Sequence, residues 1–138
     1  MLQSILAVLA GIVLGMFVIT GVESIIPLVY PLPQAVDPKD LEAMRTMLAG
    51  MPTGVFVILM SGWILGALAG GLLAARLAST WFHRRPMAHA LAVGVLQSVG
   101  AVANFVMLPH PTWVLVGGLF VFIPMALLGG RLGQRPAV

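Results

Sequence analysis

The chain of 138 residues contains no cysteine. This absence excludes disulfide bonds, thiolate metal sites and a cysteine nucleophile, and it leaves the redox compartment undefined. Charged residues are also scarce, because Lys, Arg, Asp and Glu together make up only 8% of the chain. A soluble domain of this length needs a charged surface, yet 60% of the residues are hydrophobic and the mean hydropathy is +1.08. The composition therefore predicts a protein whose solvent is partly the lipid bilayer.

The excess of basic over acidic residues is small, with a net charge of +3. A nucleic-acid surface needs more basic side chains than this, interleaved with exposed aromatic ones. The arginines lie instead at the ends of apolar runs, where such residues orient transmembrane helices. We therefore expect no nucleic-acid partner.

Catalytic and phosphate-binding motifs are also missing from the sequence. The serines lack a nucleophile signature, and His83 and His89 lack the spacing and intervening glutamate of a helical zinc motif. There is no Gly-Lys motif that would cradle a phosphate. We therefore expect no enzymatic activity, no catalytic residue, no metal site and no cofactor.

Four apolar runs are long enough to cross a membrane, for which about 20 helical residues suffice. Each run is closed by proline, glycine or arginine. The first run has no basic residue before it and is too long for a signal peptide, so we interpret it as a retained helix. The predicted fold is an all-α polytopic membrane protein with four transmembrane helices, at about residues 2–30, 52–78, 87–108 and 112–132.

The distribution of arginine predicts how these helices are oriented. Arg76, Arg84 and Arg85 flank the second connection, and Arg131 and Arg135 follow the fourth helix, with no acidic residue near them. The first connection mixes both signs of charge, and the third carries no Lys, Arg, Asp or Glu. Because cytoplasmic loops carry the excess of Lys and Arg, we expect both termini to be cytoplasmic.

The first connection is predicted to contain a short amphipathic helix at about residues 38–50. Asp37 is placed to act as N-cap with Pro38 at the first helical position, and Gly50 and Pro52 are placed to end the helix. Apolar residues recur between them at helical spacing. The segment is interpreted either as a lid over an outward cavity or as a connector that buries its apolar face.

Small residues are spaced so that helices can approach each other closely. In lipid, helix association depends on such residues because apolar side chains gain little by leaving the bilayer. The predicted contacts lie within the bundle, and the alternative is an interface between copies of the chain. The residues assigned to helix packing are Gly11, Gly15, Gly62, Gly66, Gly70, Ala67, Gly71 and Ala75.

Two local matches suggest that the chain is a duplicated parallel helical hairpin. Residues 72–77 read LLAARL where residues 127–132 read LLGGRL. Residues 6–8 and Gly15 match residues 91–93 and Gly100 in the same way. A duplication of this kind would give a parallel repeat, unlike the inverted repeats of many transporters.

Glu23 is the ionisable side chain predicted to lie within the first transmembrane helix. Such a residue is costly in a bilayer, which makes it a candidate functional group. On the third helix, Gln97 and Asn104 share a face, and Asn104 has a depth similar to that of Glu23. With Thr20 and His110 these residues form a predicted polar cluster near the outer surface. The cluster could bind a proton or a cation, or it could serve only as hydrogen-bonding contact between helices.

Three segments resemble a family of small four-helix bacterial membrane proteins of uncharacterised function. They are residues 23–33 (ESIIPLVYPLP), the glycine-rich second helix ending in LLAARL, and residues 108–113 (LPHPTW). The resemblance implies a bacterial plasma (inner) membrane protein. It implies no catalytic residue, because the family has no assigned activity.

The expected function is that of a non-enzymatic membrane protein that packs with other subunits or with itself. An accessory or structural subunit of a larger complex and a homo-oligomer both fit this expectation. The alternative is an oligomeric transporter or channel, coupled to protons or cations, that uses Glu23.

Overall fold

The computed structural model describes residues 1–31, 37, 39–82, 85–108 and 110–134, without the side chains of residues 81 and 82. These ranges are helical and contain no strand. The helices are α1 (Leu2–Glu23), α2 (Ile26–Val29), α3 (Leu41–Ala49), α4 (Thr53–Phe82), α5 (Pro86–Met107) and α6 (Thr112–Gly133).

Four helical segments are long and apolar enough to cross a membrane: 2–29, 53–80, 86–107 and 112–133. This confirms the predicted all-α fold with four candidate transmembrane helices. We call the end of the bundle that carries α2 and α3 the α3 end. The opposite end carries Leu2, Arg76, Arg85 and Arg131, and we call it the arginine end.

The first transmembrane segment is interrupted after Glu23, whereas the sequence predicted one helix over residues 2–30. Pro27 has no backbone N–H and cannot donate to the carbonyl of Glu23, so the α-helical ladder cannot continue. The chain turns at Ser24, whose hydroxyl donates to the carbonyl of Gly21 at 2.7 Å, and resumes as the short helix α2. Glu23 is therefore the last residue of α1.

The amphipathic helix α3 begins at Leu41, three residues later than predicted. Asp37 accepts a hydrogen bond from the backbone N–H of Lys39 at 2.9 Å, which closes a turn. The N-cap is Asp40, whose carboxylate accepts from the N–H of Ala43 at 3.0 Å. Pro38, the predicted first residue, lies outside the described residues.

Helix α4 is the centre of the bundle. Helices α1 and α6 pack extensively on α4, and α5 packs mainly on α6, less on α4 and least on α1. Each predicted hairpin pair, α1 with α4 and α5 with α6, is therefore in contact. This is what a duplication requires, but the duplication itself stays a prediction.

One glycine face of α4 lies against α1. A Cβ atom built on Gly70 would lie 2.6 Å from the carbonyl oxygen of Gly11, and one built on Gly66 would lie 2.7 Å from that of Gly15. Gly62 continues the face toward the side chain of Val22. At such distances the two backbones exclude any side chain between them.

A second small-residue face of α4 lies against α6. A Cβ atom on Gly71 would collide with the backbone of Ala126, and Ala67 and Ala75 are fully buried. Helix α6 also contributes glycines to this contact, since Gly129 lies against the backbone of Leu68. The eight residues assigned to packing from sequence are thus all buried within one chain.

Replacing Gly71 with alanine should destabilise the bundle, because the new Cβ meets backbone that cannot move aside. We expect a loss of about 1–3 kcal/mol in the free energy of unfolding, as for other overpacked cores. The measurement is unfolding in mixed micelles of sodium dodecyl sulfate and a mild detergent, followed by circular dichroism.

The matched control is Gly21→Ala, because no atom lies within 4 Å of a Cβ built on Gly21. Alanine should leave stability unchanged there or raise it by up to about 1 kcal/mol through helix propensity. Equal destabilisation by both variants would contradict the assignment of Gly71 to a backbone contact.

Candidate binding fissure

A cavity of about 600 Å³ lies between α1, α4 and α5, with α6 behind it. We call this cavity the fissure. The residues that line it are Ile12, Met16, Ile19, Thr20, Glu23, Leu59, Trp63, Leu96, Gln97, Gly100, Ala101, Asn104, Leu108, His110 and Phe122.

The fissure exists because α5 leaves α1 partway along the bundle. A Cβ atom on Gly11 would lie 3.0 Å from a methyl group of Val93, and Gly15 is in contact with the amide of Gln97. Closer to the α3 end this contact is lost, since Gly100 lines the fissure and a Cβ atom built on it would meet nothing within 4 Å. The two helices are therefore closed midway along the bundle and open toward the α3 end.

All five residues of the predicted polar cluster line this one cavity. They come from α1, α5 and the connection to α6, and they are Thr20, Glu23, Gln97, Asn104 and His110. Glu23 and His110 are half-buried, Thr20 and Asn104 are exposed, and Gln97 is buried. The sequence placed these residues near one another by depth alone, whereas the fold joins them in a common space.

Trp63 on α4 provides the polar contact of the Glu23 side chain. Its indole N–H interacts with the Glu23 carboxyl. Because Trp63 is only 7% exposed, its ring is held by the protein and its donor points in a defined direction. The polar cluster predicted from the sequence did not include Trp63.

The ring of Trp63 lies within a cluster of aromatic rings. Its centroid is 5.6 Å from that of Phe105, 5.8 Å from that of Phe122 and 6.3 Å from that of His110. Phe122 belongs to α6 and is 3% exposed. The inner wall of the fissure, on the side of α4 and α6, is therefore a rigid aromatic surface next to a carboxyl group.

His110 is oriented by its own backbone segment. Its Nδ1 lies 2.8 Å from the carbonyl oxygen of Leu108. A carbonyl oxygen only accepts, so Nδ1 carries the proton, and in the neutral ring Nε2 is then an acceptor. The neutral His110 ring thus has an Nε2 that can accept a hydrogen bond.

Gln97 is the most unusual polar residue of the site. It is 6% exposed, and neither its amide oxygen nor its amide nitrogen has a hydrogen-bond partner among the described residues. Both atoms are covered, since the amide lies against Gly15 where α1 and α5 touch. A buried polar group without partners costs about 1–3 kcal/mol. The contact that closes the fissure midway along the bundle therefore carries an energetic penalty.

The lining differs between the two ends of the fissure. Glu23, Asn104 and His110 lie toward the α3 end. Ile12 and Met16 lie closer to the middle of the bundle. No Lys or Arg is present among the described lining residues. The fissure therefore joins a polar, acidic end to an apolar end.

Helix α3 does not contribute to the described lining of the fissure. Leu48 of α3 and Met51, which follows it, pack against the hydrophobic core. This arrangement agrees only in part with a connector that buries its apolar face, because Leu41 on the same helix is 55% exposed.

A metal centre finds no support in the described part of the chain, where no three His, Asp or Glu residues come close enough to hold an ion. Comparison with protein-family models, with curated proteins and with solved structures gives no match.

Replacing Gln97 with methionine should stabilise the bundle. Methionine has a similar shape and removes the two partnerless polar atoms, so we expect a gain of about 1 kcal/mol or more in the free energy of unfolding. Denaturant titration in mixed micelles measures this gain. Gln3→Met, at an exposed position, is the control and should change little. A loss of stability in Gln97→Met would show that the amide has partners in the membrane.

Proposed function

We propose that this multi-pass membrane protein is a transporter. A cation or proton binds at Glu23 in the fissure, and its passage across the membrane is coupled to transport. The observation that supports the proposal most directly is the convergence of Thr20, Glu23, Gln97, Asn104 and His110 on one cavity. The described fissure is formed within a single copy of the chain. The proposed function is therefore compatible with a monomer and with an oligomer.

The position of Glu23 favours exchange with a ligand over purely structural contact. A carboxyl group that served only to hold helices together would be expected to have its partners on the neighbouring helices. Glu23 has one such contact, the Trp63 indole of α4. The side chain is nevertheless only half-buried and lines an open space that a ligand can enter. Ionisable groups within membrane helices commonly mark ion pathways.

The polar groups around Glu23 suit a cation. The lining has a carboxyl group, amide and hydroxyl oxygens and a histidine nitrogen, but no described Lys or Arg that would attract an anion. None of these groups is arranged as a nucleophile with its base, so we propose a non-enzymatic role without a cofactor.

Proton flux tests this function. In proteoliposomes, a membrane potential set with potassium and valinomycin should drive proton uptake, reported by an internal pH-sensitive dye, above the rate of empty vesicles. Glu23→Gln should reduce this uptake at least about tenfold, because the amide cannot exchange a proton. A sodium-22 uptake assay on the same vesicles tests the cation alternative.

The matched control is Glu42→Gln. Glu42 is an exposed carboxylate on α3 that pairs with Arg45 at 3.4 Å, and it does not belong to the described lining of the fissure. Its replacement should leave flux unchanged. If neither ion moves above the rate of empty vesicles, or if both variants reduce flux equally, the transport proposal fails.

A second candidate is an accessory or structural role, in a larger membrane complex or in a homo-oligomer. Its original support was the abundance of small residues, but the glycine faces of α4 are occupied by α1 and α6. The observation that still favours it is the opening between α1 and α5, where a helix of a partner could lie. Native mass spectrometry in mild detergent would then show a stable complex that Gly100→Leu dissociates.

We also propose that the protein lies in a bacterial plasma membrane with both termini in the cytoplasm, as the arginine distribution and the family resemblance suggest. The cysteine-free sequence permits single-cysteine labelling without background. In intact cells, an impermeant maleimide should label Ala49→Cys on α3 and should label Gln134→Cys only after permeabilisation. The reverse pattern would invert the proposed topology.

A further inference from the structure

The fissure is open on one side between the Gly15–Gln97 contact and the α3 end. Its inner wall is built by Leu59 and Trp63 of α4 and Phe122 of α6. On the opposite side, the lining residues Met16 of α1 and Leu96 of α5 are 52% and 49% exposed. Because these residues lie in membrane-spanning helices, the gap between α1 and α5 faces the bilayer rather than water.

The size of the fissure limits what can enter through this gap. A volume of about 600 Å³ lies within the range of about 300–1,000 Å³ that is typical of sites for drug-sized ligands. A molecule with a single hydrocarbon chain fits such a space, whereas a phospholipid with two chains is too large. The occupant is therefore a small molecule that dissolves in the membrane.

The polarity of the lining defines the two ends of the occupant. Gln97 and Asn104, which both line the fissure from α5, are seven residues apart, which corresponds to about 10 Å along the helix. Over this distance it changes from the apolar neighbourhood of Met16 and Leu96 to the polar neighbourhood of Glu23. The complementary molecule is an amphiphile with its polar group toward the α3 end.

The groups at the polar end select a positive charge. A carboxyl group attracts a cation electrostatically, and the faces of tryptophan and phenylalanine rings bind organic ammonium groups. Glu23 and the rings of Trp63 and Phe122 line the same cavity, and no described Lys or Arg is available to pair with a phosphate or sulfate head group. An ammonium group satisfies both features.

We infer that the fissure binds a single-chain amphipathic amine that enters from the bilayer between α1 and α5. Its ammonium group lies at Glu23 and Trp63, and its chain lies along Met16 and Leu96. This inference rests on the proposed function, since it names the substrate class of the same site. Glu23 binds the amine directly. The exchange of amine for proton at this carboxyl group would couple movement of the amine to movement of the proton.

Fluorescence quenching in lipid nanodiscs tests the inference. Trp63 is left as the only tryptophan by Trp81→Phe and Trp113→Phe, with helicity and elution checked against the wild type. The probes are decyltrimethylammonium and decyl sulfate, each carrying a nitroxide on its chain. The cationic probe should quench Trp63 saturably, and the anionic probe should show only the non-saturating quenching caused by partition into lipid.

Two further variants locate the binding within the fissure. Glu23→Gln should weaken saturable quenching at least about tenfold. Gly100→Leu should abolish it by filling open space, and Gly21→Leu is its matched control. Neither substitution places a Cβ atom within 4 Å of another group, and only Gly100 lines the fissure.

Quenching that is equal for both probes, or that Gly21→Leu and Gly100→Leu reduce alike, overturns the inference. The two proposals fail separately in these experiments. Saturable amine binding without proton flux, in vesicles with and without an amine gradient, removes the transport function and retains the amine site. Carboxylate-dependent proton flux without saturable amine binding retains transport and removes the amine as its substrate class.

Discussion

Direct contact between helix backbones at glycine organises this bundle. In water the burial of apolar side chains would hold helices together, but lipid offers the same apolar surroundings to a separated helix. What remains is close packing, and it is strongest where side chains are absent. Helix α4 has glycine or alanine on two faces, so that α1 and α6 both approach its backbone, at Gly70 and Gly71 among other positions. The remaining helix, α5, is held chiefly by α6.

The fissure follows from this unequal packing. Helix α1 stays on α4 along its length, because the contacts of Gly11 and Gly15 are continued by Ile19 and Val22. Helix α5 shares only the middle part of this seam and then follows α6, where Phe105 lies against Gly118. Two helices that are each well packed on different neighbours therefore separate from one another, and the space between them is not filled by side chains.

Polar residues are concentrated where this separation begins and ends. Gln97 lies at the closing contact with its amide covered and without described partners, and Glu23 lies at the open end beside Trp63. A bundle selected for stability alone would have apolar residues at both positions, since each polar group in lipid carries a cost. Their presence at one cavity is the physical basis of the proposed binding site.

The sequence by itself determined the number of candidate membrane-spanning segments, the apolar surroundings of the chain and the polar residues that are costly in a bilayer. Spans of about 20 apolar residues leave no other solvent than lipid, and the depth of Glu23 and Asn104 along their helices follows from the helical rise alone. The predicted positions of the helix ends were less accurate. The break at Glu23 follows from the missing N–H of Pro27. The capping by Asp40 instead of Asp37 depends on competing hydrogen bonds of similar strength.

Only the tertiary structure decided which faces meet. Small residues lie on several sides of α4, and periodicity cannot tell a contact with α1 from a contact with a second copy of the chain. Nor could it show that Trp63 borders the cavity, that Gly100 faces open space or that Phe122 on α6 lines the same cavity as Glu23. These relations depend on how each helix is rotated and inclined on its neighbours. That choice is made by the summed packing of the whole bundle, which no local pattern in the sequence contains.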